Sequence, residues 1–187
     1  YGAVPAVIEI TPVEADFDTV AIGTRSASIT FTIRNLGAAS GPLDIELAGA
    51  DAAEFAIVGG TCVAGATILA NGSSCTIILQ LTPTTLGAKL ALLSISAAPG
   101  GAVDALLTGA AVSGAELAVT PSVVDFGAVK VGDISSPVSF TVTNTGGAAT
   151  GILGMEFLGG DAGQFATASG GTCVAATTIL TPESSCT

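Results

Sequence analysis

The sequence of this chain repeats itself with a period near 110 residues. Asn144 restates Asn35 after 109 positions, and Cys173 restates Cys62 after 111. Solenoid proteins repeat every 20 to 50 residues or so. The period in this chain is too long for a solenoid and corresponds to one whole small domain. The sequence therefore predicts a tandem array of two similar domains.

The second copy is shorter than the first. Thr187 corresponds to Thr76, so residues 77–113 of the first copy have no counterpart in the second. At the front of the chain, residues 1–4 resemble Gly109–Val112, the stretch that closes the first copy. We therefore expect this chain to be a window on a longer array. The predicted domains are residues 1–113 and 114–187, the second lacking its C-terminal strands.

Short segments of both copies alternate between apolar and polar residues. Ile29, Phe31 and Ile33 share one face of the segment 28–35, which is the period-two pattern of a half-buried strand. Asp51, followed by good helix formers, predicts an acidic cap on a single turn that places Phe55 in the core. Together the segments predict an all-β fold of tandem immunoglobulin-like antiparallel β-sandwiches with about seven strands each. Further alternating segments lie at 43–47, 75–81, 88–96 and 102–108, and in the second copy at 138–142 and 153–157; Asp161 is the counterpart of Asp51.

The chain is acidic and poor in charge. Four basic residues stand against fifteen acidic ones, which cannot form the positive surface that nucleic acid or an anionic membrane requires. No apolar run reaches the 18 or so residues of a membrane-spanning helix. Only 10% of residues are charged, against about 25% in an ordinary soluble domain. We expect such a surface to be covered by neighbouring repeats, identical chains or glycans.

The four cysteines occupy matching positions in the two copies. The repeat pairs Cys62 with Cys75 and Cys173 with Cys186, and we predict two disulfides. A zinc site is disfavoured because the chain has no histidine and no CxxC pair. Reduced, buried cysteines remain an alternative. Disulfides persist in oxidising compartments, which places the protein outside the cytoplasm.

The residue types offer little catalytic chemistry. The absence of histidine removes the usual general base and every Ser-His or Cys-His pair. Ser-Lys and paired-carboxylate chemistry remain open, but we expect no enzyme, no catalytic residue and no cofactor. Glu14, Asp16 and Asp18 form the densest acidic cluster, and calcium favours several carboxylates in one loop. The second copy keeps only Asp125 there, so we interpret the cluster as a solvated loop and predict no metal site. Asn71-Gly72-Ser73 is a glycosylation sequon that also suits a tight turn.

Motifs shared by the copies form one pattern. They are Phe126-Gly127, Val131-Gly132, Phe140–Gly146, Gly160–Ala162 with Phe165, Gly171–Cys173 and Ser185–Thr187, and the first copy adds Leu81–Thr84, Gly87 and Leu107–Gly109. The set resembles the choice-of-anchor D repeats of bacterial surface proteins, relatives of the Ig-like modules of abnormal-spindle and hydin-type proteins. The resemblance implies secreted or surface-anchored bacterial proteins and carries no shared catalytic residues. One departure, Asp18 in place of Gly127, predicts a different early turn in the first copy.

These observations favour a structural function. We expect a segment of a long extracellular protein that forms the stalk of a surface adhesin or an extracellular fibre, with neighbouring repeats of the same or identical chains as partners. In one version the strands missing from the second copy lie further along one giant chain. In another a neighbouring subunit donates them. A carbohydrate-binding module is the alternative from a different class, although the chain has no tryptophan and one tyrosine to form a sugar platform.

Overall fold

A computed structural model describes residues 5–187, so residues 1–4 and their expected likeness to 109–112 lie outside it. The chain forms two compact units, Tyr1–Val112 and Ser113–Thr187. β-Strands and two short 3-10 turns make up the regular structure, and the described part of the chain contains no α-helix. The all-β prediction is confirmed.

Unit 1 is a sandwich of two four-stranded sheets. One sheet has the order β1-β3-β6-β5 and the other has the order β2-β8-β7-β4. This is the two-layer arrangement of an immunoglobulin-like domain. The strands are β1 Ile8–Thr11, β2 Glu14–Ala21, β3 Ile29–Asn35, β4 Leu43–Ala48, β5 Phe55–Gly60, β6 Ser74–Leu81, β7 Gly87–Ala97 and β8 Gly101–Val112.

The core of unit 1 lies between the two sheets. Buried residues alternate with half-buried or exposed ones along β6 and β7, because successive side chains of a strand point to opposite faces. Phe31 and Ile33 of β3 and Leu79 of β6 meet Leu93 of β7 and Leu107 of β8, and all five are fully buried. The alternation in the sequence therefore predicts the inward face correctly.

One strand pair runs parallel. β2 lies beside β8 in parallel register, with Glu14 opposite Leu106 and Ala21 opposite Val112, whereas the other pairs of unit 1 are antiparallel. Only Pro12 and Val13 separate β1 from β2. Proline cannot donate a ladder hydrogen bond. The chain therefore leaves one sheet at Pro12 and enters the opposite sheet without reversing.

Unit 2 has one three-stranded sheet in the order β11-β10-β9. These strands, β9 Leu117–Thr120, β10 Thr141–Asn144 and β11 Ser185–Cys186, are the counterparts of β1, β3 and β6. The buried cluster beneath them is small and consists of Leu153, Leu180 and Cys186.

Two predicted strands of unit 2 are not formed as expected. Residues 153–158, the counterpart of β4, are not in a strand, and β10 begins at Thr141 rather than at Val138. The same holds for residues 123–130, the counterpart of β2. In unit 1 β2 pairs only with β8 and β4 only with β7, and the described residues of unit 2 contain no counterpart of β7 or β8. A segment without a partner has no ladder to join, whatever its alternation.

Candidate functional site

The four cysteines form one disulfide in each unit. Cys62 is bonded to Cys75 and Cys173 to Cys186, with Cα atoms 5.1 and 5.0 Å apart. In each unit the loop that begins at the first cysteine is also held by backbone hydrogen bonds, because the amide of Cys62 donates to the carbonyl of Thr76 and the amide of Cys173 to that of Thr187. The disulfide thus closes the loop that lies over the end of the central strand.

A buried asparagine ends the central strand of unit 1. The Oδ1 atom of Asn35 accepts from the amides of Val7 and Gly37, both at 3.0 Å, and its Nδ2 donates to the carbonyls of Ala38 at 2.6 Å and Leu69 at 2.8 Å. The side chain has no exposed surface. One amide therefore joins the chain entering β1, the turn after β3 and the disulfide loop, and we call this group the Asn clamp.

The same clamp recurs in unit 2. Asn144 accepts from the amides of Glu116 and Gly146 and donates to the carbonyls of Ala148 and Leu180. It is also fully buried. In the sequence the repeat marks these asparagines as equivalent positions but does not indicate their hydrogen bonds. The signal that could have found the clamp is the Asn-x-Gly triplet at the same place in both copies.

The glycine of the triplet allows the close approach. A Cβ atom at Gly37 would overlap the carbonyl oxygen of Pro5, and one at Gly146 would overlap the carbonyl oxygen of Gly114. Backbone atoms cannot move aside as a flexible side chain can, so each position needs a residue without a side chain. The clamp is therefore a built feature of both units.

A second polar group lies between the 3-10 turn Ala52–Glu54 and β7. Lys89 is buried on the inward face of β7, and its Nζ lies 2.9 Å from Oε2 of Glu54 and 3.7 Å from Oδ1 of Asp51. Asp51 occupies the N-cap position of this turn and Phe55 is buried after it, as the sequence predicts, but the side chain of Asp51 makes no capping hydrogen bond. Instead its Oδ2 accepts from the amide of Leu90 at 2.9 Å. The aspartate thus attaches the turn to β7.

Glu54 is held as an anion. The hydrogen bond from Lys89, together with the hydroxyls of Thr85 and Thr84, lowers the pKa of Glu54 from 4.5 to about 2, although burial acts in the opposite direction. The two hydroxyls donate to Oε1 at 2.8 and 2.9 Å. Oε2 is paired with the ammonium of Lys89, 2.9 Å away. The group is an ion pair that joins the turn to the sandwich.

This ion pair predicts a pH dependence. Since the pKa of Glu54 is lower in the folded protein, the folded state binds fewer protons than the unfolded state between pH 4.5 and about 2. The stabilisation is complete above pH 4.5 and is lost as the pH falls through about 2. Urea unfolding of the native chain and of Glu54→Gln across this range measures the effect. We expect the free energy of unfolding to fall less steeply with acid in the variant, and equal slopes would contradict the assignment.

The acidic cluster lies along β2. Glu14, Asp16 and Asp18 are exposed, and Oδ1 of Asp16 accepts from the amide of Asp18 at 3.0 Å. Within residues 5–187 there is no group of three acidic or cysteine side chains placed to hold a metal ion. The prediction of a different early turn is wrong. Asp18 has φ 58° and its counterpart Gly127 has φ 68°, and the amide of Gly127 likewise donates to Asp125.

Unit 2 carries its own strained positions. Ala176 and Glu183 have φ of 63° and 61°, where unit 1 has Gly65 and Gly72 at 70° and 75°. The left-handed backbone conformation costs a residue with a side chain about 1–2 kcal/mol relative to glycine. Glycine offsets part of this advantage because it loses more conformational entropy on folding. We expect Ala176→Gly and Glu183→Gly each to stabilise unit 2 by about 0.5–1 kcal/mol.

The matched reversal is Gly65→Ala, which should weaken unit 1 by a similar amount because a Cβ there meets no neighbouring atom and only the backbone strain remains. Amide hydrogen exchange of β10 and of β6 reports the two units separately. Weaker protection of β10 in the glycine variants would show that the strain is absent.

The feature with most capacity for binding is an apolar face on unit 2. We call it the open face and define it by Phe126, Phe140, Met155, Phe157 and Phe165, which are 36–50% exposed. Three of its phenylalanines form a cluster, with ring centroids 5.8 Å apart for Phe126 and Phe165 and 6.2 Å apart for Phe157 and Phe165. Contiguous apolar surface of this kind marks a site of interaction rather than ordinary surface.

Each phenylalanine that unit 1 shares with the open face is buried. Phe31, the counterpart of Phe140, has no exposed surface, and Phe17 and Phe55, the counterparts of Phe126 and Phe165, are 3% and 4% exposed. In unit 1 the rings of Phe17 and Phe55 also meet edge to face, 5.4 Å apart. The open face is therefore a sandwich interior that nothing in the described part of unit 2 covers.

The described residues include no helix with the length and hydropathy needed to cross a bilayer. Lys89 contacts Thr85 and Glu54.

Comparisons with known proteins add to the description of the fold. No family model and no curated protein matches the chain. Among solved structures it is similar to the ASH/PapD-like domain 7 of human CEP192, with 13% identity, a TM-score of 0.41, and coverage of 57% of this chain and 86% of that one. The class 5 fimbriae chaperone CfaA matches with 14% identity, a TM-score of 0.40 and coverage of 95% and 83%.

The Vibrio cholerae protease VesB matches with 18% identity and a TM-score of 0.39. That match covers 55% of this chain and 31% of the protease. These likenesses concern β-sandwich domains of the PapD-like and Ig-like type. At such identities no function is transferred from them.

Proposed function

We propose that the chain is a structural segment of tandem Ig-like modules, of the choice-of-anchor D type, within a bacterial surface adhesin stalk or extracellular fibre, and that it has no catalytic activity. The observation that carries the proposal is the duplicated construction. Each unit has the Asn clamp, the close glycine and the disulfide at matching positions. Such repetition gives a protein length and resistance to unfolding rather than a reaction centre.

The disulfides support an oxidising location, either extracellular or periplasmic. In the chain-entropy model, closing a loop of this length stabilises a domain by about 3 kcal/mol. Charged residues are scarce, which supports packing of each module against neighbouring repeats of the same or identical chains. The proposal includes surface glycans as further partners, whereas nucleic acid does not fit the acidic charge.

Labelling of intact cells with an antibody against unit 1, combined with the mass of the natural protein, tests the proposal. We expect surface labelling and a polypeptide well above 17.9 kDa. A fibre built from species near 17.9 kDa would instead favour strand donation between subunits. Intracellular protein with four free thiols would overturn the proposed location.

Carbohydrate binding is less well supported. Sugar sites present exposed aromatic rings, and all three phenylalanines of unit 1, Phe17, Phe31 and Phe55, are buried. The exposed rings of unit 2 occupy core positions. A glycan array with the 187-residue chain distinguishes the two functions, because reproducible binding that survives high salt would favour the carbohydrate module.

A further inference from the structure

Unit 1 shows how the surface equivalent to the open face is covered in a complete sandwich. In unit 1 the equivalent surface is covered by β6 beyond Thr76 and by the hairpin β7–β8. Leu81 of β6, Leu93 and Ile95 of β7, and Ala105 and Leu107 of β8 are fully buried against it. The hairpin is one continuous antiparallel ladder from the Gly87–Ala111 pair to the Ala97–Gly101 pair.

The backbone at the rim of the open face favours a polypeptide as its occupant. In unit 1, β2 joins the ladder of β8, and β4 joins that of β7. In unit 2 the corresponding segments, 123–130 and 153–158, join no ladder among the described residues. A lipid or a sugar could cover the rings, but only another strand supplies matched backbone donors and acceptors along both segments.

A polar contact between an aspartate and a strand in unit 1 also has no equivalent at Asp161 in the described part of unit 2. In unit 1 the Asp51 carboxylate accepts from the Leu90 amide of β7, and the Asp51 amide donates to the Leu90 carbonyl at 3.4 Å. Its counterpart Asp161 lies before an equivalent 3-10 turn, Ala162–Gln164, and within residues 5–187 its carboxylate accepts only from the side chain of Gln164, at 3.3 Å. Asp161 is therefore placed to receive a backbone amide of an incoming strand.

We propose that the open face of unit 2 binds a β-hairpin with the sequence pattern of residues 87–112, whose apolar positions cover the phenylalanine cluster and whose two strands pair with segments 123–130 and 153–158. The first strand of the hairpin meets segment 153–158 and Asp161, as β7 meets β4 and Asp51. The second strand meets segment 123–130 in parallel, as β8 meets β2. This inference rests on the geometry of unit 2 and is independent of the cellular location proposed above.

Appending a copy of residues 77–112 directly after Thr187 tests the proposal, because Thr187 is the counterpart of Thr76. Amide hydrogen exchange of residues 123–130, 138–144 and 153–158 is compared with and without the copy. We expect exchange in these segments to slow by about tenfold or more, since opening then requires unfolding of a complete sandwich. Binding of a hydrophobic dye to the open face should fall in parallel.

The matched control carries Leu93→Asp and Leu107→Asp in the appended copy only. It has the same length, and its charges cannot be buried against the rings. We expect no added protection from it, while β3 and β6 of unit 1 remain protected in all three proteins. Equal protection with both copies, or none with either, would overturn the proposal. A native chain whose open face is already protected in a dimer would also overturn it, because a second copy would then be the occupant.

Discussion

Replacing Phe31 by Ala is expected to destabilise unit 1 by about 3–5 kcal/mol. Phe31 is fully buried on β3 between the two sheets. Removing the ring takes away its transfer free energy and leaves a cavity that the surrounding strands can only partly fill. Urea unfolding followed by far-UV circular dichroism measures the loss, since the chain has no tryptophan to report it.

The chain supplies its own control for this variant. Phe140 is the counterpart of Phe31 and is 36% exposed, so much of its surface is already in water and little cavity forms on truncation. We expect Phe140→Ala to cost less than half as much as Phe31→Ala. When a copy of residues 77–112 is appended after Thr187, the loss in free energy of unfolding caused by Phe140→Ala should rise towards that caused by Phe31→Ala. Equal costs in the native chain would show that the open face is already covered.

Replacing Asn35 by Ala is expected to destabilise unit 1 by about 4 kcal/mol, at about 1 kcal/mol for each of four hydrogen bonds. The substitution leaves two backbone amides and two backbone carbonyls without their side-chain partner. Polar groups that are buried without a hydrogen bond destabilise the folded state. Amide exchange should be fastest at the disulfide loop around Leu69 and at Gly37, which lose a partner directly.

Asn35→Asp separates hydrogen bonding from shape. The carboxylate keeps the volume and both acceptor contacts but loses both donor contacts and places a charge in a buried site. We expect it to be at least as damaging as alanine at neutral pH and to recover partly in acid, when the group is protonated. Asn144→Ala should leave unit 1 unchanged, because its partners all lie in unit 2. A loss below about 1 kcal/mol in Asn35→Ala would contradict the clamp.

The buried position of Lys89 is one interior feature that the sequence pattern already contains. Lys89 stands in phase with Ala91, Leu93 and Ile95, all buried on β7. The alternation therefore placed a lysine on the inward face and required a partner for it. The partner, Glu54, could not be named from the sequence, because the two residues lie on elements that only the packing of turn against strand brings together.

The sequence by itself determined the features that depend on local period and on duplication. Alternation set the inward residues of β3, β6 and β7, because strand side chains point to opposite faces whatever the sheet. The repeat paired each cysteine with its partner.

The tertiary structure decided the features that depend on neighbours. It ran β2 parallel to β8, gave the side chain of Asn35 four hydrogen bonds, and paired the carboxylate of Asp51 with the Leu90 amide of β7 rather than with the turn that Asp51 precedes. It also left the counterparts of β2 and β4 outside any strand, because a strand is defined by the ladder it joins and a sequence pattern cannot supply its own partner.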